Sequence, residues 1–316
     1  MRLVFAGTPT VALPSLEALR QAGHTVAAVL TRPPAARGRS SRRLPSAVGA
    51  WAEANGVETL CPVRPGDREL ATRLRQLAPD CCPVVAYGGL IPAALLALPE
   101  LGWINLHFSL LPAYRGAAPV QRALLAGEDQ TGLTCFTLAP ELDAGPIWRQ
   151  RTWPIGPRQR SGELLQALAL AGADLLVESL AAAARGESPR PQSEQGVSRA
   201  PKLSPAEVRI DWTRPAERID RLVRAAWPEP AAWSELDGQR LKLLAVQPTD
   251  RTLPPGRLEI DRRQVLVGSG DVALSLLEVA PAGRKAMAAV DWARGLRSTG
   301  PITLGPIDPM GAGHDR

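Results

Sequence analysis

The sequence of 316 residues is poor in the side chains that build metal sites and disulfides. It has three histidines and four cysteines, and no two cysteines stand in a Cys-x-x-Cys pair. A chain of this length can bury a core without disulfide bonds. We therefore expect four reduced, buried thiols and no zinc or other metal site; the cysteines are Cys61, Cys81, Cys82 and Cys135.

The sequence also lacks the patterns of a leader and of a membrane span. Residues 1–10 do not show a charged start followed by a long apolar stretch. The uncharged run from Cys81 to Pro99 is interrupted by prolines and glycines, whereas a spanning helix needs about 20 continuous apolar residues. We expect a soluble, cytoplasmic protein without a membrane partner.

Neither strong charge nor low hydrophobicity marks the composition. Hydrophobic residues make up 45% and charged residues 22% of the chain, and 37 basic residues against 31 acidic ones give a net charge of +6. This composition excludes a disordered or fibrous protein. The small positive excess is compatible with a polyanionic partner but does not demand one.

Short apolar runs alternate with helical patterns in the first half of the chain. The runs Leu3 to Ala6, Thr25 to Leu30, Val84 to Ala86 and Trp103 to Leu106 are separated by segments such as the helical pattern Val11 to Ala22. Strands separated by helices indicate parallel β-α-β units. The first half therefore predicts an α/β domain with a mostly parallel sheet.

The composition changes between Arg185 and Pro205, a stretch rich in Pro, Ser, Gln and Gly that is typical of a linker. A helical pattern and several short strands follow, and Asp237-Gly238 is typical of a tight hairpin turn. Short strands at this spacing favour a small β-barrel or sandwich. We expect one domain over 1–188, a linker over 189–207 and a second domain over 208–316.

Three polar residues mark a candidate catalytic site. Asn105 and His107 close a predicted strand, and Asp143 lies in a turn between two later strands. The carboxyl ends of parallel strands are where such sheets bind ligands, and residues two apart on a strand point to one side. Taken singly, His107 could be a core histidine and Asp143 a turn former. Together they can supply an oxyanion donor, a proton-transfer group and an orienting carboxylate.

Other chemistries fit the sequence less well. The turn Ala6-Gly7-Thr8-Pro9 lacks the glycines of a dinucleotide site and the Lys-Ser/Thr of a phosphate loop. Ser109 is not surrounded by the glycines of a nucleophile elbow. Direct transfer of an acyl-like group through a tetrahedral intermediate suits the three residues better.

Several collinear segments of the chain carry distinctive motifs. The specific block is Asn105-x-His107-x-Ser109-Leu110-Leu111-Pro112, and it is followed by Tyr114-Arg115-Gly116-Ala117-Ala118-Pro119 and Leu142-Asp143-x-Gly145. Weaker motifs are spread over nearly the whole chain: Phe5 to Pro9, Val84 to Gly88, Lys202 to Ser204, Arg209 to Trp212 and Pro281 to Met287. Together these segments resemble the folate-dependent formyltransferases, most closely those that act on initiator methionyl-tRNA.

The resemblance implies a fold, a reaction and two partners. The fold is an N-terminal Rossmann-like formyltransferase domain followed by a small OB-like β-barrel. The donor is 10-formyltetrahydrofolate, the acceptor is the α-amino group of initiator methionyl-tRNA, no metal takes part, and we expect a monomer. Asn105 and a protonated His107 would stabilise the negative charge that develops on the formyl oxygen, while Asp143 would orient His107.

Carried over position by position, the resemblance also implies binding residues. For the folate they are Ser109, Leu110, Leu111 and Pro112, with Tyr87, Gly88, Gly89 and Leu90 lining part of the pterin pocket. For the tRNA they are the basic loop residues Arg32, Arg37, Arg39, Arg42 and Arg43, with Arg284 and Lys285 in the second domain. Arginines on a loop can pair with phosphates without reading base identity.

The sequence departs from the family pattern at Phe108, Gly89, Glu141 and Ala144. Phe108 stands where a small residue is usual in the family. Two alternatives stay open: a formyltransferase that acts on a sugar amine, and an RNA-binding protein without catalytic activity. Formyl transfer to methionyl-tRNA, uncharged tRNA and an amino sugar would separate them.

Overall fold

The structure is a computed structural model, and it describes residues 1–36, 43–63, 68–296 and 300–305. The chain forms two compact units. Unit 1 comprises Met1–Val120, Asp129–Ile155 and Leu164–Pro201, and unit 2 comprises Gln121–Glu128, Gly156–Glu163 and Lys202–Arg316.

Unit 1 is an α/β structure built around one sheet. Its strands are β1 (Arg2–Gly7), β2 (Thr25–Leu30), β3 (Ala35–Ala36), β4 (Arg43–Leu44), β5 (Glu58–Leu60), β6 (Cys82–Val85), β7 (Trp103–His107), β8 (Gln130–Thr137) and β9 (Ile147–Pro154). Its helices are α1 (Leu13–Gln21), α2 (Ala47–Ala54), α3 (Arg68–Leu77) and α4 (Ala93–Leu96). Two further helices, α5 (Pro119–Ala126) and α6 (Ser161–Ala184), contribute residues to both units.

The large sheet has the order β5-β2-β1-β6-β7-β8-β9. The pairs from β5 to β7 are parallel, whereas β8 and β9 join antiparallel. After β1, the strands β2 and β5 are added on one side of it, and β6 and β7 are then added on its other side. Such a reversal opens a crevice at the carboxyl ends of the strands, where ligands bind in open α/β sheets.

Simple sequence patterns account for these elements. Leu70, Leu74 and Leu77 recur at helical spacing and are the buried face of α3. The Ser46 side chain caps α2 by accepting a hydrogen bond from the Gly49 amide at 2.9 Å. All residues of β6 are buried, as expected for a strand covered on both faces.

Unit 2 is mainly an antiparallel sheet with two helices of its own. Its elements are α7 (Ala216–Ala226), β10 (Ala232–Leu236), β11 (Gln239–Pro248), β12 (Leu258–Ile260), β13 (Val265–Val267), β14 (Leu274–Pro281), β15 (Met287–Ala288) and α8 (Ala289–Ala293). The sheet order is β10-β11-β14-β13-β12, and β15 pairs with β14. Asp237 and Gly238 both take positive φ, of 50° and 73°, and make the tight turn between β10 and β11.

The predicted fold class is confirmed: a mostly parallel α/β sheet is followed by an antiparallel half-barrel. The observed ends of some elements differ from the predicted ends because of the local backbone conformation. Strand β6 ends at Val85 because Ala86 takes a left-handed φ of 49°. The helices α5 and α8 were not predicted. Cys61 is exposed, so the expectation of four buried thiols is wrong for it, since it follows the edge strand β5.

Two features bear on the other expectations from the sequence. Residues up to Pro201 of the predicted linker belong to unit 1, where Arg190 bridges to Ile147 and Arg199 bridges to Arg115. Among the described residues, α6 is the one helix long and apolar enough to span a membrane by length and composition alone, and 56% of its most apolar window is buried inside the protein.

Candidate active site

His107 is the last residue of β7 and points into the protein. It pairs with Thr134 of β8, and its side chain is 6% exposed. The ring stands edge-on to Phe136, with centroids 6.3 Å apart and planes at 86°. His107 therefore combines a strand-end position with an apolar wall, a setting that alters its protonation.

Asp143 is placed by a turn that needs special backbone conformations. Its φ is 51°, a left-handed value that Asp tolerates better than most residues. A Cβ at Gly145 would collide with the carbonyl oxygen of Thr137, so only glycine fits there. The Asp143 carboxylate is 9% exposed, and its Oδ2 accepts a hydrogen bond of 2.8 Å from the Gly116 amide.

The structure brings His107 and Asp143 together. His107 Nδ1 lies 3.9 Å from Asp143 Oδ2, and His107 Nε2 lies 2.9 Å from the carbonyl oxygen of Tyr114. Because a carbonyl can only accept, Nε2 must carry hydrogen and donate it. In a neutral ring, Nδ1 then presents a lone pair on the side of Asp143.

Burial lowers the pKa of His107 below its ordinary value of 6.5, while the charge of Asp143 and the bond to Tyr114 act in the opposite direction. The ring is therefore neutral near pH 7. Loss of solvation therefore outweighs the attraction of the Asp143 carboxylate for a proton on His107. The neutral ring is able to accept a proton.

Asn105 lies two residues before His107 on β7, on the same face of the strand. Its side chain is partly exposed and makes no hydrogen bond to any residue in the described part of the chain. An amide that is held on a strand and has both donor hydrogens free can bind a ligand oxygen.

The block after His107 is fixed by hydrogen bonds rather than left open. The Ser109 hydroxyl is fully buried and donates to the carbonyl of Ala113 at 2.7 Å. Thr134 donates to the carbonyl of Ser109 and accepts from the Leu111 amide. Leu111 is buried, and Leu110 packs closely over Gly132. The loop is held rigid beside His107.

The Tyr87–Leu90 segment follows β6 at the same end of the sheet. Tyr87 is buried, and its carbonyl accepts a hydrogen bond from Thr8. Burial raises the pKa of the Tyr87 hydroxyl, and the charge of Arg32 opposes this rise. Gly88 takes a φ of 77° with open space around it, and Leu90 is 76% exposed. This segment presents open backbone and an uncovered apolar side chain.

The predicted tRNA-binding residues are only partly described. Arg37, Arg39 and Arg42 lie outside the described residues. Arg32 is half-buried, Arg43 is exposed on β4, and Arg284 and Lys285 are exposed in the turn between β14 and β15. No group of three or more His, Cys, Asp or Glu able to hold a metal occurs within the described ranges.

Sequence reasoning gave no role to several residues that shape the site. Tyr114 and Gly116 contact His107 and Asp143 through backbone atoms, and Gln192 reaches the Asp143 turn from 49 residues away in sequence. The signal for the first two was their place in the motif block. Nothing in the sequence pattern marked Gln192.

Known proteins resemble this chain over most of its length. The methionyl-tRNA formyltransferase of Thermobifida fusca is 55% identical over 300 residues, which cover 94% of this chain and 97% of that protein. The enzyme of the same name from Streptomyces coelicolor is 50% identical over 95% of this chain and 98% of its own length. A structure of Aquifex aeolicus HypX in complex with tetrahydrofolic acid is 18% identical, with a TM-score of 0.68, and covers 96% of this chain and 50% of that one; it shows likeness of fold.

Two family matches cover most of the chain, and the second begins at Lys202, where the main segment of unit 2 also begins. Residues 1–180 match the formyl transferase family and residues 202–297 match its C-terminal domain. With the His107–Asp143 pair at the carboxyl end of a mostly parallel sheet, and with these matches over most of the sequence, the chain belongs to the formyl transferase family.

Proposed function

We propose that this protein transfers a formyl group from 10-formyltetrahydrofolate to the α-amino group of initiator methionyl-tRNA. The observation that carries the proposal is the 48–55% identity to enzymes of that name over nearly their whole length. The Asn105, His107 and Asp143 arrangement supports it, since it supplies the groups that such a transfer needs.

The residues at the sheet edge fit a folate donor. Leu90 offers an exposed apolar surface, and Gly88 leaves its backbone approachable. The buried side chains of Ser109 and Leu111 hold their loop, so we expect this block to contact the ligand chiefly through backbone atoms. The folate donor, when bound, supplies the formyl carbon, which is attached to a nitrogen of the folate. Phe108 is buried.

Each polar residue then has one task. An α-amino group, with an ordinary pKa of about 7.7, is partly neutral in the cell and can attack without a covalent enzyme intermediate. Asn105 donates a hydrogen bond to the formyl oxygen as negative charge develops there. Neutral His107 accepts the proton lost by the amine, and Asp143 stabilises the resulting imidazolium. As the bond between the formyl carbon and the folate nitrogen breaks, the imidazolium returns that proton to the departing nitrogen, which restores neutral His107.

The tRNA would be bound by basic residues of both units, with Arg32 and Arg43 in unit 1 and Arg284 and Lys285 in unit 2. Guanidinium and ammonium groups pair with backbone phosphates irrespective of sequence. We further propose that the protein acts as a monomer, in the cytoplasm and without a membrane partner.

The test is transfer of radiolabelled formyl from the folate to three acceptors: methionyl-tRNA, uncharged tRNA and an amino sugar. We expect product with methionyl-tRNA alone. Product with the amino sugar alone would assign the protein to sugar modification, and no product with any acceptor would favour RNA binding without catalysis.

Asn105→Ala tests the proposed oxyanion donor. Because a lost donor of this kind costs about 3 kcal/mol of transition-state stabilisation, kcat should fall on the order of 100-fold. The measurement is steady-state kinetics with methionyl-tRNA. A kcat within a few-fold of the wild type would remove Asn105 from the mechanism.

A further inference from the structure

The side chain of Gln192 joins two parts of the active site and uses all of its hydrogen-bonding capacity to do so. Its Nε2 donates to the carbonyl oxygens of Asp143 and Gly145, both at 2.8 Å. Its Oε1 accepts from Arg115 Nε at 3.1 Å and from Arg115 Nη2 at 2.8 Å. An amide has two donor hydrogens and two acceptor positions, and here each has a partner.

Arg115 is the other end of this connection. It is 8% exposed, and its Nη1 forms an ion pair of 3.2 Å with Glu141, one of the residues that departs from the family pattern. The Arg115 guanidinium therefore contacts Glu141 directly and the Asp143 turn through Gln192. A buried guanidinium held in this way has little freedom to move.

Residues 190–200, which we call the strap, also hold the backbone on either side of Arg115. The Tyr114 amide donates to the Ser198 hydroxyl at 2.8 Å, and the Arg115 amide donates to the Ser198 carbonyl at 2.9 Å. The Ala200 amide donates to the Arg115 carbonyl at 2.7 Å. A Cβ at Gly116 would lie 2.7 Å from the Ala200 carbonyl oxygen, so the close approach requires glycine.

These contacts form a closed ring around the catalytic pair. His107 donates a hydrogen bond to the carbonyl of Tyr114, and Asp143 accepts one from the amide of Gly116. Gln192 connects the Asp143 turn to Arg115, the residue between Tyr114 and Gly116. Asp143 also sits at positive φ, a conformation that needs support from its surroundings. The strap supplies that support from a segment remote in sequence.

We propose that Gln192 is a positioning residue that holds the Asp143 carboxylate against His107. The proposal rests on the proposed function for its kinetic readouts. Gln192 does not touch the reacting atoms; it acts through the backbone of residues 143–145. Misplacement of a catalytic group by about 1 Å can cost up to about 100-fold in rate, so this role is measurable.

The first experiment compares Gln192→Met with Gln195→Met in the full chain. Met has the length of Gln without its polar atoms, and Gln195 is exposed on the same strap. We expect Gln192→Met to lower kcat about 10-fold or more with both KM values within about twofold, and Gln195→Met to match the wild type. A lower kcat in both variants, or in neither, would overturn the proposal.

A double variant separates positioning from a general structural role. If Gln192 acts through Asp143, Gln192→Met should cause no further loss of kcat in an Asp143→Asn background, because coupled residues are not additive. Multiplied losses would overturn the proposal. Gln192→Glu keeps a partner for Arg115 but sets a carboxylate against two carbonyl oxygens, so it should lower kcat as Met does even if Gln192→Met fails to fold.

The last readout does not depend on activity. The chain has three histidines, so the His107 signal in a spectrum of isotopically labelled histidine is assigned by comparison with His107→Asn. Because the charge of Asp143 raises the pKa of His107, Gln192→Met should move its titration midpoint to lower pH, and Gln195→Met should not. An unmoved midpoint would refute the positioning role even if formyl transfer occurs, and a moved one would support it even if the acceptor proved to be different.

Discussion

Two buried aspartates, one in each unit, are neutralised in different ways. In unit 2, Asp220 of α7 forms ion pairs with Arg158 at 2.9 Å and with Arg224 at 2.8 Å. In unit 1, Asp143 accepts a hydrogen bond from the Gly116 amide and faces His107, a residue whose pKa is lowered by burial. Among the described residues, no lysine or arginine forms an ion pair with Asp143.

Under the proposed function, the difference separates a charge that stabilises the fold, that of Asp220, from one that takes part in formyl transfer, that of Asp143. Two guanidiniums balance Asp220, so its field is satisfied within unit 2. The field of Asp143 is only partly satisfied by a backbone amide, so it favours a positive charge on His107 whenever a proton arrives there. Buried carboxylates of this second kind are expected at functional sites.

The largest effect should follow Asp143→Asn. Asn keeps the shape of the side chain but removes the charge that would stabilise imidazolium, and we expect kcat to fall on the order of 1000-fold, about 4 kcal/mol. The free energy of unfolding should change little. The measurements are steady-state kinetics and urea unfolding; a large stability loss with modest kinetic change would make Asp143 a structural residue like Asp220.

Asp220→Asn should show the reverse behaviour. Removing one partner of a buried ion pair leaves the nearly buried Arg224 uncompensated, and we expect a loss of about 3 kcal/mol in the free energy of unfolding. The folded variant should keep the wild-type kcat. Urea unfolding and kinetics below the transition provide the check, and a lower kcat in fully folded protein would break the contrast between the two aspartates.

The pH dependence of stability should reveal the buried neutral His107. Because burial depresses its native pKa, the unfolded chain binds a proton below about pH 6.5 that the native chain resists, so stability falls as the pH drops below that value. The His107→Asn variant should lack this part of the pH dependence of stability. Chemical denaturation from pH 7.5 to 5.5 measures it, with the burial-shifted His24 common to both proteins; parallel curves for the two proteins would contradict a neutral His107.

The smallest effect concerns the exposed basic residues of unit 2. Arg284→Gln with Lys285→Gln should weaken tRNA binding and reduce the slope of log affinity against log salt by about 2, since each phosphate contact contributes about 0.9. Arg262→Gln with Arg263→Gln removes the same charge from the exposed turn between β12 and β13. Binding titrations over a range of salt should distinguish the pairs, and equal slopes would indicate only a diffuse charge effect.

Much of the fold was predictable because local patterns and burial agree. The leucines of α3, the strand β2 at Thr25–Leu30 and the Asp237-Gly238 turn all lie where their spacing predicts. The misses have physical causes. Strand β6 ends early at the positive φ of Ala86, and short helices such as α8 are set by packing rather than by a long periodic pattern.

The proximity of the candidate site residues was more predictable than their electrostatics. Position at a strand end and the motif block singled out Asn105, His107 and Asp143, and the structure places His107 and Asp143 3.9 Å apart. The protonation state of His107 was not predictable, because it depends on how much solvent the packed side chains exclude. The roles of the binding residues stay predictions.

The amino-acid sequence by itself determined the two-part architecture, the order of strands and helices and the candidate catalytic side chains, because these follow from hydrophobic periodicity, turn chemistry and the motif block. Only the tertiary structure decided that burial lowers the pKa of His107, that Tyr114 and Gly116 contact His107 and Asp143 through their backbone, and that Gln192 reaches the Asp143 turn. These properties depend on burial and on contacts between segments far apart in the chain, and such contacts leave no local pattern.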